Sequence, residues 1–407
     1  MTILPIIQDA KDELTAIFKD LHANPEIGFT EYRTAKVVAE KLREYGVDEV
    51  HEGIAKTGVV GIIKGREGPR RVGLRADMDA LPINELTNLD YASKTPGVMH
   101  ACGHDSHTTM LLGAAKHLAS TRNFAGTAVL IFQPAEEGLG GARGMLAEGL
   151  FDRFPVDEIY GMHNSPNGEP GTIGICKGPA MAGAAFFDII VQGKGSHAAM
   201  PQQSRDPLVI AAELVGAIQT ILSRNVAPLD TCVLSVTQLH AGSAYNVVPD
   251  TAKLAGTVRY FKQEVSDMVE QRMRDLCAGY ATAYGIEITL DHRNIFDVLM
   301  NDHDLSEAYL EAAADIVGNE NVSGTEEPAT GSEDFADMLQ VVHGAYCRIG
   351  HSGTTGLHNP SFFLDPEVLP VGASVMARIV ERRRRTRVAS AEQAPPAQEQ
   401  ARGSRAS

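Results

Sequence analysis

Residues 182–293 read as strand, helix, strand, strand, helix, strand, set inside a chain whose flanks alternate strands with helices. "AAFFDIIVQGKGSH" is a strand and a turn, and Asp206-Pro207 announces the helix "DPLVIAAELVGAIQTILSR". "TCVLSVTQLHAG" and "DTAKLAGTVRYF" follow as strands, then the helix "EVSDMVEQRMRDLCAGYATAYG" and the strand "IEITLDHRN". That order is ferredoxin-like. Upstream, "TGVVGIIKG" (57–65), "RRVGLRADMDALP" (70–82) and "GTAVLIFQPAEEG" (126–138) are strands, and "TTMLLGAAKHLA" (108–119) is a helix. Alternation of this kind predicts an α/β domain with a mostly parallel sheet. It resumes near residue 295 with the helix "DLSEAYLEAAADIVG". The small α+β unit is therefore expected as an insertion, giving a discontinuous domain over 1–181 and 294–385 and a second over 182–293.

Composition excludes several classes. The 407-residue chain has a net charge of −16, a poor match for general nucleic-acid binding, which needs Lys and Arg to meet phosphates. No apolar run approaches the length of a membrane span, so no membrane partner is expected. The five cysteines (102, 176, 232, 277, 347) are odd in number and scattered, which fits reduced thiols. The first twenty residues read as an amphipathic helix rather than a secretory leader, and the expected location is the cytoplasm. The basic run "RRRRTR" (382–387) leads into a polar stretch without periodicity, expected to be disordered over 386–407.

The chemistry gathers at a few places. "HACGHDSHTTM" (100–110) packs three histidines, a cysteine and an aspartate into eleven positions. "FQPAEEG" sets Glu136 and Glu137 beyond a strand's carboxyl end, where open α/β sheets bind ligands. His163 follows the strand "EIYGMH", and His358 lies in "GLHNPSF". Cys102, His104, Glu137, His163 and His358 exceed the four ligands of a closed structural zinc. They suit two metals that share a ligand and keep water positions open for hydrolysis. Spacing alone leaves such a centre and a set of inert core histidines equally open.

The ordered set "HACGHDSHTTMLLGAA", "FQPAEEG", "GMHN", "GKGSHAAMP", "AYNVVPD", "GTVRYF", "GSEDFADML" and "LHNP" resembles the M20 metallopeptidase family. The match is to its amidohydrolase branch of hippurate hydrolases, N-acyl-amino-acid deacylases and auxin-conjugate hydrolases, and covers roughly residues 10–380. The resemblance implies that Cys102, His104, Glu137, His163 and His358 hold two divalent ions per subunit. Zinc or manganese would be the first expectation, with cobalt or nickel also able to support turnover. It makes Glu136 the general base, His197 the donor to the oxyanion, and Asn246 and Arg259 the holders of the substrate's carboxylate. It implies a lid and dimerisation role for residues 182–293, and a homodimer or homotetramer formed through them. The implied reaction is hydrolysis of N-acyl amino acids, with N-aroyl and N-acetyl compounds as model substrates. An M20-type dipeptidase or carboxypeptidase is the alternative.

Asp77 and Asp79 stand where most members carry a His-x-Asp pair, and they are expected to orient a ligand. "GSHAAMPQ" lacks the branch's common second lid histidine, and Glu333 and Asp334 read as structural. His100 and His107 are expected to flank the ligands, and His22, His51, His117, His240, His292, His303, His343 and His351 to be bystanders.

Overall fold

The computed structural model describes residues 1–351, 353 and 355–383. The stretch expected to be disordered, and residues 384–385, lie outside these. An eight-stranded sheet is built from β1 (Glu49–Ile54), β2 (Gly58–Lys64), β3 (Arg66–Asp77), β4 (Ala125–Gln133), β5 (Glu158–Ser165) and β6 (Ile173–Gly174) with two later strands. The short β7 (Gly178–Met181) then leads to a second unit comprising β8 (Gly183–Gln192), β9 (Ser196–His197), β10 (Cys232–Ala241), β11 (Val247–Val248), β12 (Thr251–Tyr260) and β13 (Glu287–Phe296). After β14 (Leu299–Asn301), the chain returns to the large sheet with β15 (Val322–Ser323) and β16 (Gly344–Gly350).

The large sheet runs β1-β2-β4-β3-β5-β16-β6-β15. Its centre, β4-β3-β5-β16, is parallel, while β1, β2 and the β16–β6 pair are antiparallel. The parallel strands are buried on both faces along most of their length and are mainly apolar there. One face packs on the helices Lys11–Ala23, His104–Thr121 and Leu369–Arg382 through residues such as Leu14, Leu111, Leu130 and Met376. The other is sealed by Ile131, Phe335 and Tyr346.

The helix expected from Thr108 begins earlier, at His104. Gly103 precedes it with φ +89°, a conformation that costs glycine nothing, and the chain turns into the helix there. His104 and His107 thus lie one turn apart on one helical face.

The second unit has its own core and the strand order β10-β12-β8-β13, all antiparallel. Asp206 caps the helix Pro207–Arg224 by accepting from Leu208 N (2.9 Å) and Val209 N (3.4 Å). This helix corrects one expectation: with mean hydropathy 1.3 over 18 residues it is long and apolar enough to cross a membrane. Ile210, Leu214, Ile218 and Ile221 nevertheless form a stripe at helical spacing buried in the second core.

Candidate metal centre

Backbone conformation aims the key side chains. Ala135 (φ +55°) sits in the left-handed region just before Glu136, and His358 (φ +58°) does the same in its loop. Each such non-glycine residue costs about 1–3 kcal/mol and persists only where its surroundings hold it. Around Ala135 they do: its N–H donates to Glu31 Oε1 (2.8 Å), and its carbonyl accepts from Gly141 N (3.0 Å). A Cβ at Gly141 would stand 1.6 Å from Pro134 O, so only glycine lets this turn close.

Cys102, His104 and His163 place a donor atom each within 4.8 Å of one another, as do Cys102, Glu137 and His358. Sγ of Cys102 is 3.4 Å from His163 Nε2, and Glu137 Oε1 is 3.2 Å from His358 Nε2 and 4.0 Å from His104 Nε2. Two of these atoms, His104 Nε2 and Glu137 Oε1, are buried without a hydrogen-bond partner among the described residues. Unpartnered buried polar atoms are rare, and a facing pair is what an ion with bonds near 2 Å would satisfy. The five residues expected as ligands are therefore brought together, and their donor set fits a pair of divalent ions.

The hydrogen bonds behind them fix which nitrogen each ring offers. Asp79 Oδ1 is 3.2 Å from His104 Nδ1, which leaves Nε2 toward the cluster. His163 donates from Nδ1 to Asn164 O (2.7 Å), which leaves its Nε2 lone pair toward Cys102. Metal-binding imidazoles are held in this way. Burial, helped by His107, holds the His163 imidazole well below its usual pKa, in the neutral form a ligand needs. Burial opposes charge on His104, but Asp77 and Cys102 hold its pKa well above the usual value. Cys102 and Glu137 raise His358 to about 10. These anionic surroundings favour any cation placed among them.

Asp77 supports the centre differently. Its Oδ1 is 2.6 Å from His107 Nδ1, and His107 Nε2 accepts from Asn164 N (3.0 Å). Asn164 also donates to the carbonyl of Cys102, and its Oδ1 meets His351 Nε2 (3.0 Å). His351 thus belongs to the support of Cys102, a role its isolated position in the sequence did not signal. His22 is another such residue. It pairs with Asp105 (2.6 Å), the neighbour of His104, and contacts Glu85 (3.4 Å). His100 is buried beside the cluster, but neither of its nitrogens has a hydrogen-bond partner among the described residues.

Behind Glu136 lies a buried ion network. Arg75, fully enclosed, donates to Asp77 Oδ2 (2.7 Å), Glu333 Oε1 (2.9 Å), Asp334 Oδ1 (3.1 Å) and Gln133 Oε1 (2.8 Å). Asp334 N in turn donates to Glu136 Oε1 (3.3 Å). Glu333 and Asp334 are thus structural supports of the site. Burial first, then the carboxylates of Glu333, Glu137 and Asp334, push Glu136 well above the usual carboxylate range. A carboxylate able to take up a proton and release it again is placed beside the ligand cluster.

A cavity of about 870 Å³ opens over Cys102, Glu136, Glu137, His163 and His358, a size suited to a small-molecule substrate. From the second unit, Arg259, Phe186 and Phe296 reach its wall. His197 and Asn246 do not line it. They are exposed neighbours on the β9–β11 ribbon, where Ala198 N donates to Asn246 O (3.0 Å) and Val247 pairs with His197.

Fold and site together define a metal-dependent hydrolase on an open α/β sheet. The chain belongs to peptidase family M20/M25/M40, whose pattern matches residues 73–382. It is 42% identical over 379 residues to a hippurate hydrolase of Campylobacter jejuni, spanning 93% of this chain and 98% of that one. It is 40% identical to an N-acetylcysteine deacetylase of Bacillus subtilis, spanning 89% and 94%. Among solved structures, a dinuclear metal-binding M20 peptidase of Bacillus subtilis superimposes with TM-score 0.81 at 36% identity, covering 92% of this chain and 98% of that one.

Proposed function

We propose that this protein hydrolyses the amide bond of N-acyl amino acids, releasing a carboxylic acid and a free amino acid. One observation carries the reading: a single cavity joins the ligand cluster, the carboxylate of Glu136 and the guanidinium of Arg259. Cys102, His104, Glu137, His163 and His358 would hold two divalent ions, zinc or manganese first, cobalt or nickel as alternatives. Bound there, such ions would polarise the amide carbonyl and lower the pKa of a water. Glu136 takes the proton from that water and hands it to the leaving nitrogen. Arg259 receives the α-carboxylate through its planar fork, which a neutral amide or ester cannot engage in the same way. A thiol among the ligands needs reducing surroundings, in keeping with a cytoplasmic setting.

His197 and Asn246 stand outside the cavity of their own chain, and we assign them to the site of a second subunit. The assembly would be a homodimer or homotetramer formed through the second unit, with His197 stabilising the oxyanion across the interface. The test is turnover of N-acetyl, N-benzoyl and dipeptide substrates by metal-reconstituted enzyme. Release of free amino acid from N-acyl compounds, lost on chelation, is expected. Cleavage confined to dipeptides would contradict the reading.

A further inference from the structure

The cavity holds a second arginine. Arg348 lies on β16 in parallel register with His163 on β5, so the two side chains leave the same face of the sheet. Arg348 is partly buried and lines the cavity, yet its guanidinium makes no hydrogen bond or ion pair among the described residues. Glu326 lines two adjoining clefts with it, but forms no ion pair among the described residues. A partly buried guanidinium with no hydrogen bond or ion pair of its own is free to take up a carboxylate, its best-matched complement.

The two arginines occupy different places. Arg259 comes from the second unit and lines the main cavity beside Phe186 and Phe296. Arg348 comes from the large sheet and stands where the cavity meets the two adjoining clefts, neither of which Arg259 touches. With the α-carboxylate on Arg259 and the scissile carbonyl at the ligand cluster, the acyl chain is left to run toward Arg348.

We propose that Arg348 binds a carboxylate at the free end of the acyl group. The preferred substrates are then N-acyl amino acids whose acyl part is a dicarboxylic acid, such as N-succinyl or N-glutaryl amino acids. The inference rests on the amidohydrolase reading and specifies its substrate class. Hydrolysis breaks the C–N bond. Water supplies hydroxyl to the acyl carbon and a proton to the amine, releasing a dicarboxylate and an amino acid.

The experiment measures kcat/KM of the metal-loaded enzyme and of Arg348→Gln on four substrates. N-succinylglycine is set against its neutral amide analogue, N-succinamoylglycine, and N-acetylglutamate against N-acetylglutamine. The native enzyme is expected to prefer N-succinylglycine over the amide by about 10- to 100-fold, the worth of a charge-assisted contact. Arg348→Gln should erase that preference and leave N-acetylglutamine turnover unchanged, which also reports an intact fold. Equal turnover of N-succinylglycine and its amide would overturn the proposal. So would a preference confined to N-acetylglutamate, or an equal loss on all four substrates in the variant. No turnover of any of the four by enzyme that still cleaves N-benzoylglycine would also overturn the proposal, whereas inactivity on N-benzoylglycine as well would remove the amidohydrolase reading, and this inference with it.

Discussion

His104 Nδ1 lies 3.2 Å from Asp79 Oδ1, and that contact decides which nitrogen of the ring faces the ligand cluster. Asp79 also accepts from Glu137 N through its other oxygen (3.1 Å), so one carboxylate orients two of the candidate ligands. Asp79→Asn keeps the size and one acceptor but offers an amide N–H where a carboxylate oxygen stood. Metal affinity is expected to fall about 10- to 100-fold, the usual effect of disturbing a ligand's support. Equilibrium dialysis with zinc or manganese checks this, and unchanged affinity would leave Asp79 with a purely structural role.

Cys102→Ser should weaken metal binding while the fold survives. A serine hydroxyl stays protonated at neutral pH, whereas a coordinating thiol gives up its proton. The thiol is buried and its pKa raised by that burial, so its deprotonation depends on a bound cation. Metal content after dialysis, read beside the circular dichroism spectrum, separates the two effects. Full stoichiometry in the variant would make Cys102 a bystander.

Much of this site was legible in the sequence because its ligands sit near strand ends, at one helix start and, for His358, in a loop, where short motifs carry them. Glu136 and Glu137 after a buried strand, and His163 at the end of another, stand out without any tertiary knowledge. Arg75 does not. It reads as one charge inside a strand, and its meaning lies in Glu333 and Asp334, some 258 residues away. His351 and His22 were equally silent, since Asn164 and Asp105 give them their roles only after folding. The placement of His197 and Asn246 on an exposed ribbon was also hidden, because motif order says nothing about which side of a lid faces the cavity.

His22 gives the protein a pH-dependent stability. Burial alone would lower its pKa, but Asp105 and Glu85 raise it from 6.5 to about 9. A folded-state pKa above the unfolded one stabilises fully below about pH 6.5 and fades as pH rises through about 9. The contribution is at most ~3 kcal/mol. In urea unfolding, the stability gap between native protein and His22→Gln should be widest near pH 6 and nearly closed above pH 9. A gap independent of pH would contradict the charged pairing.

Mixing inactive variants tests whether His197 works across subunits. Glu136→Gln and His197→Ala should each be nearly inactive alone. In a mixed dimer, the metal site of the His197→Ala chain meets the intact ribbon of its partner, which restores one site in two. Co-refolding equal amounts should recover about a quarter of native activity, since half of the dimers are mixed. No recovery would place His197 in the site of its own chain.

The central claim is that Glu136 moves the proton in a metal-dependent hydrolysis of N-acyl amino acids. Its most direct test is Glu136→Gln, assayed on N-benzoylglycine with metal content measured in the same sample. The amide is close in size to the carboxylate but cannot take a proton from water. The account predicts native metal content and a kcat lower by ~10²–10⁴. Near-native turnover with a full complement of metal would contradict it.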